Sequence, residues 1–453
     1  MTSPPRMMKL GLNIVANGGH AAGWRMPQAE PDPMDIRLWA RIAQAAEQAR
    51  IHFMFWADGI AVRSDARDEE ELSYVGRVDV FEPLTLMSAL SMVTEHLGFV
   101  GSASTTYNDP YHIARKFASL DHISRGRVGW NVVTSWSEQE ALNFGRDRHM
   151  EHAARYRRAE EFVDVVMGLW DEWEDDAFIR DKASGHYFDP ARLHMLRHQG
   201  ENFGVRGPLN VSRPLQGYPV LAQAGSSGPG QGLGSRVADI IYTAQNNLGG
   251  AQAFYRSVKQ HAEAGGRDPA TMLVMPGVMP ILGRTRGEAA GVFNQLQDLV
   301  HEKLGLPMLT NTLGDLSGHD LDGPVPDLLP DFNGVKSTRE ALLKLARERN
   351  FSIRDLYRFI AGASGHRIGI GTVQDVADMM QEWFENDGCD GWNLMPPYLP
   401  EPCFGMLEAL VPELQRRGLF HTEYEGSTLR ESLGLARPAR HSRLHPAAQA
   451  TAD

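Results

Sequence analysis

Short apolar runs alternate with longer segments of helical period along most of this chain. Apolar runs bounded by Gly, Pro and Asp are typical of strands that are buried on both faces of a sheet. Segments with apolar residues three and four positions apart are typical of amphipathic helices. The pattern predicts these strands: Leu10–Ala16, Phe53–Ala57, Gly98–Ser102, Arg127–Val133, Pro219–Ala224, Ile240–Thr243, Met272–Ile281 and Gly391–Met395.

Helices are predicted between these strands, and Pro110–Ile123 begins with the proline that a first helical turn accepts. The repeated alternation of strand and helix favours an α/β fold, a (β/α)8 TIM barrel with long insertions. A doubly wound open sheet is the alternative, but no Gly-x-Gly-x-x-Gly turn follows the first predicted strand. The other predicted helices are Met34–Ala49, Pro83–His96, His152–Trp170, Gln252–Ala264, Arg286–Leu304, Val373–Glu385 and Cys403–Arg417.

Two segments, near residues 171–217 and 307–349, are longer than ordinary connections and are predicted to be insertions. The first has mixed charge and many turn residues, and the second is rich in Gly, Pro and Asp. We therefore expect a single barrel domain over residues 1–435. Residues 436–453, rich in Ala, Arg, Pro and His, are predicted to form a disordered tail.

Composition narrows the classes of function. The 57 acidic and 45 basic residues give a net charge of −12, and without a long basic run the chain is not expected to bind nucleic acid. No window resembles a membrane span or a secretory signal. Two cysteines without a CxxC pair indicate a reducing compartment and no thiolate metal site, so we expect a cytoplasmic protein without a metal.

Polar side chains occur at the ends of three predicted strands. Asp58 follows the second strand, Thr105 follows the third, and the fourth contains Asn131 and is followed by Ser135. The carboxyl ends of barrel strands meet at one face, which is where barrel enzymes keep their ligands. These four residues are therefore predicted to bind a ligand. The alternative is that they only cap the helices that follow.

The start of one predicted helix places His152 and Tyr156 on the same face, with Arg155 beside them. Such a group suits a phosphate, although a solvated helix face has the same composition. The glycine-rich turn Ala224–Gly232, which contains Ser226 and Ser227, lies between a predicted strand and a helix. Backbone N–H groups of such a turn bind anions, and without a P-loop lysine we predict a single phosphomonoester.

Seven segments, found in the same order along the chain, resemble one family. It comprises the bacterial-luciferase-like, FMN-dependent two-component monooxygenases related to nitrilotriacetate monooxygenase component A and dibenzothiophene-sulfone monooxygenase. The resembling segments are GHAAGWR (Gly19–Arg25), FWADG (Phe55–Gly59), STTYNDPYHIAR (Ser104–Arg115), GRVGWNVVTS (Gly126–Ser135), EHAARY (Glu151–Tyr156), DGWNLMPP (Asp390–Pro397) and RGLFHTEYEG (Arg417–Gly426).

The resemblance implies a (β/α)8 barrel that uses reduced FMN and O2 to oxygenate a small organic molecule through a flavin C4a-(hydro)peroxide. It also implies a separate NAD(P)H:flavin reductase and a homodimer or homotetramer. By the same resemblance, Asn131 and Ser135 line the isoalloxazine or substrate side, and Ser227 contacts the phosphate. The FMN contacts carried over are Asp58, Thr105, His152, Tyr156 and Ser226.

Several points stay open within this resemblance. His20 and His112 are candidates for assisting proton transfer, and they are the only catalytic residues predicted. An apolar mouth with Trp56, Trp130, Trp136 and Met395 would suit this chemistry, although each of these aromatic residues taken singly is better explained as a core residue. The alternative functions are a deazaflavin-dependent oxidoreductase and a non-catalytic flavin-binding subunit.

The substrate also stays open at this point. Aminopolycarboxylates require a cation near the flavin, for which Arg25 is a candidate. Organosulfur and other apolar substrates prefer the aromatic mouth instead.

Overall fold

Parallel strands form the centre of the protein. The computed structural model describes residues 6–62, 65–225, 227–326 and 336–441. Its strands are β1 (Lys9–Asn13), β2 (Phe53–Trp56), β3 (Gly98–Ser104), β4 (Val128–Val133), β5 (His198–Gln199), β6 (Gly204–Val205), β7 (Val220–Gln223), β8 (Ile240–Thr243), β9 (Leu273–Leu282), β10 (Arg367–Gly371) and β11 (Gly391–Leu394).

Eight of these strands close into a barrel in the order β1-β2-β3-β4-β7-β8-β9-β11. Strand β9 pairs with β8 on one side and with β11 on the other, and β11 pairs with β1. All of these pairings are parallel, and each barrel strand corresponds to one predicted strand. The predicted (β/α)8 TIM barrel is therefore confirmed, and the alternative of an open sheet is wrong.

Helices surround the barrel. Three of them begin and end at the predicted residues: α4 (Pro110–Ile123), α6 (His152–Trp170) and α13 (Val373–Glu385). The last long helix contains a π-helical turn at Met406–Leu410 between α14 and α15. The helices are α1 (Ile36–Gln48), α2 (Glu69–Leu72), α3 (Pro83–Ser91), α4 (Pro110–Ile123), α5 (Glu138–Asn143), α6 (His152–Trp170), α7 (Gly228–Val237), α8 (Leu248–Ala264), α9 (Arg286–Asp298), α10 (Glu302–Leu313), α11 (Lys336–Arg349), α12 (Ile353–Ala363), α13 (Val373–Glu385), α14 (Glu401–Gly405), α15 (Val411–Arg416) and α16 (Leu429–Ser432).

The alternation of side chains along β4 shows how the barrel packs. Trp130 is fully buried between the barrel and the helices, where its ring lies 5.8 Å from Phe117 and 5.9 Å from Phe162, measured between centroids. Asn131 follows it in the strand and therefore faces the barrel interior. Trp130 is thus a core residue, which is the interpretation favoured for each aromatic residue taken singly, and it does not belong to the mouth.

The interior of the barrel is apolar and closed at the amino ends of the strands. Phe53, Val100, Val220, Ile240 and Leu273 form one buried cluster at the amino ends of the strands. The carboxyl-terminal segment covers this end, because Leu429, Leu433 and Leu435 pack into the same cluster. Beside them, Arg430 forms a buried ion pair with Asp239, with 2.7 Å between Nη2 and Oδ2. The opposite end, where the strands finish, is left to bind a ligand.

The two predicted insertions contain regular structure. The first, near residues 171–217, includes the β5–β6 hairpin. The second, near residues 307–349, contains the end of α10 and all of α11. After it, α12 packs against α10 around a separate apolar cluster, and β10 extends the sheet beside the end of β9. Of the predicted tail, Arg437 forms an ion pair with Asp175, and residues 442–453 lie outside the described part of the chain. Within the described residues, no helix is long and apolar enough to cross a bilayer.

Candidate active site

A cavity of about 620 Å³ lies at the carboxyl ends of the barrel strands. We call it the central cavity. Part of its wall comes from residues 59–62 and 77–81, which we call the rim segment. Arg77 ties this segment to the chain after β1, because its Nη2 donates to the carbonyls of Gly18 and Gly19. The other wall-forming residues include Asn13, Trp56, Asp58, Tyr242, His366 and Met395.

The predicted residues at the ends of β2, β3 and β4 come together, and we call them the β2–β4 side: Asp58, Thr105, Asn131 and Ser135. Ser102 links two of them, because its Oγ accepts hydrogen bonds from the Asp58 backbone N–H (3.1 Å) and from Asn131 Nδ2 (2.7 Å). Asn131 is 2% exposed, and its Oδ1 has no partner among the described residues. A buried amide oxygen without a hydrogen-bond partner is costly and requires an explanation.

Ser135 is held in an uncommon backbone conformation, with φ at 60°. Its Oγ lies 2.8 Å from Ser104 Oγ and donates to Glu140 Oε1 at 3.1 Å. Glu140 also accepts from the Ile60 backbone N–H, so this buried carboxylate joins β4 to the rim segment. Glu140 was not predicted from the sequence, although its place three residues after Ser137 is typical of a capping box.

Thr105 is fully buried directly after β3. Its hydroxyl donates to the Val133 carbonyl at 3.3 Å, and its backbone N–H donates to the same oxygen. The residue thus joins the ends of β3 and β4 at the predicted position.

Tyr156 lies against the glycine-rich turn after β7, the fifth strand of the barrel. A Cβ atom built on Gly225 would lie 3.1 Å from the Tyr156 hydroxyl, and one on Gly230 would lie 2.9 Å from it. The side chain of Ser227 caps α7, because its Oγ accepts from the Gly230 N–H. His152 is exposed and its ring lies 4.9 Å from that of Tyr156. Ser226 lies outside the described residues.

The apolar residues considered for the mouth lie in different places. Trp56 and Met395 line the central cavity. Trp136 is 66% exposed just before α5, so it does not contribute to the cavity wall. Trp136 therefore belongs neither to the cavity wall nor to the core, the two places that the sequence suggested for it.

The two predicted catalytic histidines lie apart from each other. His20 is buried, and both ring nitrogens are bonded: Nε2 to Gln297 Oε1 and Nδ1 to the Ala22 N–H. Burial lowers the pKa of His20 to about 4. His112 is exposed in the first turn of α4, where it lines an outer groove together with Lys116 and Arg146. Neither histidine is among the described residues that line the central cavity.

A second polar group on the cavity wall was missed by the sequence analysis. We call it the β8–β1 side: Asn13, Tyr242, His366 and Met395. The Tyr242 hydroxyl accepts from Asn13 Nδ2 at 2.6 Å and lies 3.2 Å from His366 Nε2 and 3.6 Å from Met395 Sδ. Burial lowers the pKa of His366 to about 4 and raises that of Tyr242 above its usual range.

Among the described residues of the cavity wall, the cationic side chain is that of Arg77 in the rim segment. Arg25, the cation suggested by the sequence, instead donates to the Leu299 carbonyl from an exposed position. No group of three or more His, Cys, Asp or Glu side chains in the described ranges is arranged to hold a metal ion. The wall thus offers the Asp58 carboxylate at the β2–β4 side, hydrogen-bonding groups at the β8–β1 side, and one charge of each sign at the rim, Arg77 and Asp79.

Comparison with known proteins gives concordant results. Residues 14–390 match the luciferase-like monooxygenase family. The chain is 48% identical over 442 residues to N-acetyl-S-(2-succino)cysteine monooxygenase of Bacillus subtilis (strain 168), covering 97% of this chain and 99% of that protein. It is also 48% identical over 441 residues to nitrilotriacetate monooxygenase component A of Aminobacter aminovorans, covering 96% and 97%.

A solved structure agrees with these sequence relatives. EDTA monooxygenase from Chelativorans sp. BNC1 matches with a TM-score of 0.81 at 30% identity, over 97% of this chain and 100% of that one. The resemblance drawn from the seven segments is therefore confirmed. The chain belongs to the luciferase-like monooxygenases and is a flavin-dependent monooxygenase that uses reduced FMN and O2.

Proposed function

We propose that this enzyme oxygenates a small, carboxylate-bearing thioether or amine. The FMN ring would be bound at the β2–β4 side, and the FMN phosphate at the turn beside Tyr156. The observation that carries this assignment is the close approach of the Tyr156 hydroxyl to Gly225 and Gly230. Side chains at those glycines would fill the space that an anion needs, and the turn leads into the amino end of α7.

The residues of the β2–β4 side fit the polar edge of a flavin ring. That edge carries a ring N–H donor and carbonyl acceptors, and the Asp58 carboxylate and Asn131 Oδ1 are acceptors for the donor. Asn131 Oδ1 is buried without a partner among the described residues, as expected for an atom that binds the cofactor. The hydroxyls of Thr105 and Ser135 lie at the same strand ends. Bound there, reduced FMN supplies the electrons that activate O2, of which one atom goes to the substrate.

The protein's own task is to hold the reactants and exclude water. The rim segment contributes Ile60, Val62, Val78, Val80 and Phe81 to the cavity wall, so the outer part of the chamber is mostly apolar. The Glu140 carboxylate accepts a hydrogen bond from the Ile60 backbone N–H and so holds residues 59–62 of the rim segment. Arg77 holds residues 77–81, because its guanidinium donates to the Gly18 carbonyl. These contacts keep an apolar cover over the strand ends.

Two observations support a carboxylate-bearing substrate. The relatives at 48% identity are named for N-acetyl-S-(2-succino)cysteine and nitrilotriacetate, which both carry several carboxylates. In this chain, the Arg77 guanidinium lines the cavity where such a group would enter. Arginine suits this role because its planar donors match a carboxylate.

Reduced FMN would come from a separate NAD(P)H:flavin reductase. The name of one relative, component A, marks it as one part of a multi-component enzyme. Free, buried Cys389 and Cys403 fit the reducing cytoplasm as the site of action. Assembly into a homodimer or homotetramer belongs to the same proposal.

Oxygenation of a substrate panel tests the function. The purified enzyme is supplied with FMN, NADH and a flavin reductase and is given N-acetyl-S-(2-succino)cysteine, nitrilotriacetate and dibenzothiophene sulfone. We expect product only in air, with substrate-dependent O2 uptake and less hydrogen peroxide release, for the carboxylates but not for the sulfone. Product formed without O2, or only with a deazaflavin, would contradict the flavin assignment. Oxidation of the sulfone alone would contradict the substrate class.

A further inference from the structure

The hydroxyl of Tyr242 stands at the centre of a hydrogen-bonded group inside the barrel mouth. Asn13 Nδ2 donates to it at 2.6 Å, and His366 Nε2 lies 3.2 Å away. Tyr242 is 8% exposed and Asn13 is 3% exposed, so water contributes little to this group. We call Asn13, Tyr242 and His366 the neutral triad, and all three line the central cavity.

The triad carries no charge at neutral pH. Burial lowers the pKa of His366 to about 4, so the imidazole is neutral. Burial also raises the pKa of Tyr242, so its hydroxyl keeps its proton. An ion placed against this group would lose its hydration without gaining an opposite charge, whereas an uncharged polar group would gain hydrogen bonds.

Two further observations show that this end of the cavity is shaped to hold something polar. Asn13 Oδ1 is buried and has no partner among the described residues. Gly277 makes room for the imidazole, because a Cβ atom there would lie 2.5 Å from His366 Nδ1. The protein thus places a histidine ring where a side chain would otherwise fill the wall, beside an amide oxygen that still lacks a hydrogen bond.

We propose that the neutral triad binds an uncharged hydrogen-bonding group of the substrate, such as an amide, and thereby determines specificity. This inference rests on the proposed function, in which Arg77 at the rim receives the anionic part of the same molecule. The substrate is then recognised at two points, by a cation at the rim and by neutral donors and acceptors at the barrel wall. An acylated amine fits the wall, and the corresponding free ammonium does not.

Calorimetric titration of protein loaded with oxidised FMN tests the inference without turnover. The probes are N-acetyl-S-(2-succino)cysteine and S-(2-succino)cysteine, which differ in the acetyl group and in the charge of the nitrogen. Tyr242→Phe removes only the hydroxyl. Tyr111→Phe is the matched control, because that hydroxyl donates to the Pro208 carbonyl and its residue does not line the central cavity.

In wild type we expect the acetylated probe to bind more tightly than the free amine. Tyr242→Phe should weaken the acetylated probe about tenfold and the free amine less than about threefold, with the affinity for FMN unchanged. Tyr111→Phe should match wild type for both probes. Equal binding of the acetylated probe by wild type and Tyr242→Phe would overturn the inference. A parallel loss of FMN affinity would also overturn it, because the triad would then belong to the flavin site. If wild type bound neither probe nor nitrilotriacetate, the proposed substrate class would fail, and the inference with it.

Discussion

The β2–β4 side reaches the wall of the central cavity through Asp58, and the β8–β1 side lines that cavity with all of its residues, but the two sides are built in different ways. Asp58, Thr105 and Ser135 lie one or two residues after the ends of the strands that position them. On the β8–β1 side, Asn13 and Tyr242 are 229 positions apart in the chain, and His366 is another 124 positions away. The first side is encoded in local segments, whereas the second exists only after the barrel has closed.

This difference predicts separate effects on the two ligands. Changes at the β2–β4 side and its phosphate turn should alter FMN affinity. Changes at the β8–β1 side and the rim should alter substrate affinity and leave FMN binding intact. Any variant that changes both affinities equally would show that the division is wrong.

Gly225→Ala should have the largest effect. The new Cβ atom would lie 2.4 Å from Gln223 Nε2 and 2.9 Å from the Gly230 Cα, so the turn must shift away from Tyr156. We expect oxidised FMN, followed by its fluorescence on titration, to bind at least about 100-fold more weakly.

Gly228→Ala is the matched control in the same turn. A Cβ atom at Gly228 meets nothing within 4 Å. FMN affinity should therefore stay close to that of wild type. Equal losses in both variants would mean that helix geometry, and not the space beside Tyr156, governs binding.

Asn131→Ala should have the second largest effect. It removes the buried Oδ1 acceptor and the hydrogen bond to Ser102. We expect FMN to bind about tenfold more weakly in the same titration, while the barrel stays folded by circular dichroism. Val132→Ala, on the outward face of the same strand, should lower the melting temperature without changing the affinity for FMN.

Arg77→Gln should raise the KM for a carboxylate substrate about fivefold, with kcat and FMN affinity nearly unchanged. The effect is smaller because the guanidinium lies at the rim, where water screens part of its charge. Steady-state O2 uptake at saturating FMN measures it. Arg25→Gln is the control, since Arg25 lies outside the cavity wall and should leave the KM as it is. If the KM changed only in Arg25→Gln, the cation that binds the substrate would be Arg25, as the sequence suggested.

The sequence predicted the barrel because each of its strands is an apolar run with its own boundaries. Strand β10 was missed, since Arg367–Gly371 contains two glycines and only two apolar side chains. The β2–β4 side was predictable because strand ends of a parallel barrel meet at one face. His366 was not, because it follows α12 in a turn that only the closed barrel brings against Tyr242. Trp130 and Trp136 show the same limit: the face on which a side chain lies depends on packing that the sequence does not display.

The smallest effect is expected for a substitution at His112. It tests whether the chemistry extends beyond the central cavity into the outer groove. His112 is exposed on α4 and lines the outer groove with Lys116, Arg146 and Arg158, while the central cavity is lined by other residues. His112→Ala should therefore change the rate of oxygenation by less than about twofold at saturating substrate and FMN, because the side chain lies away from the cavity wall and surface substitutions change stability little. The rate is measured by product formation, with hydrogen peroxide release recorded in parallel. A tenfold loss would place a required proton transfer in the outer groove, and the chemistry would then not be confined to the cavity between the β2–β4 and β8–β1 sides.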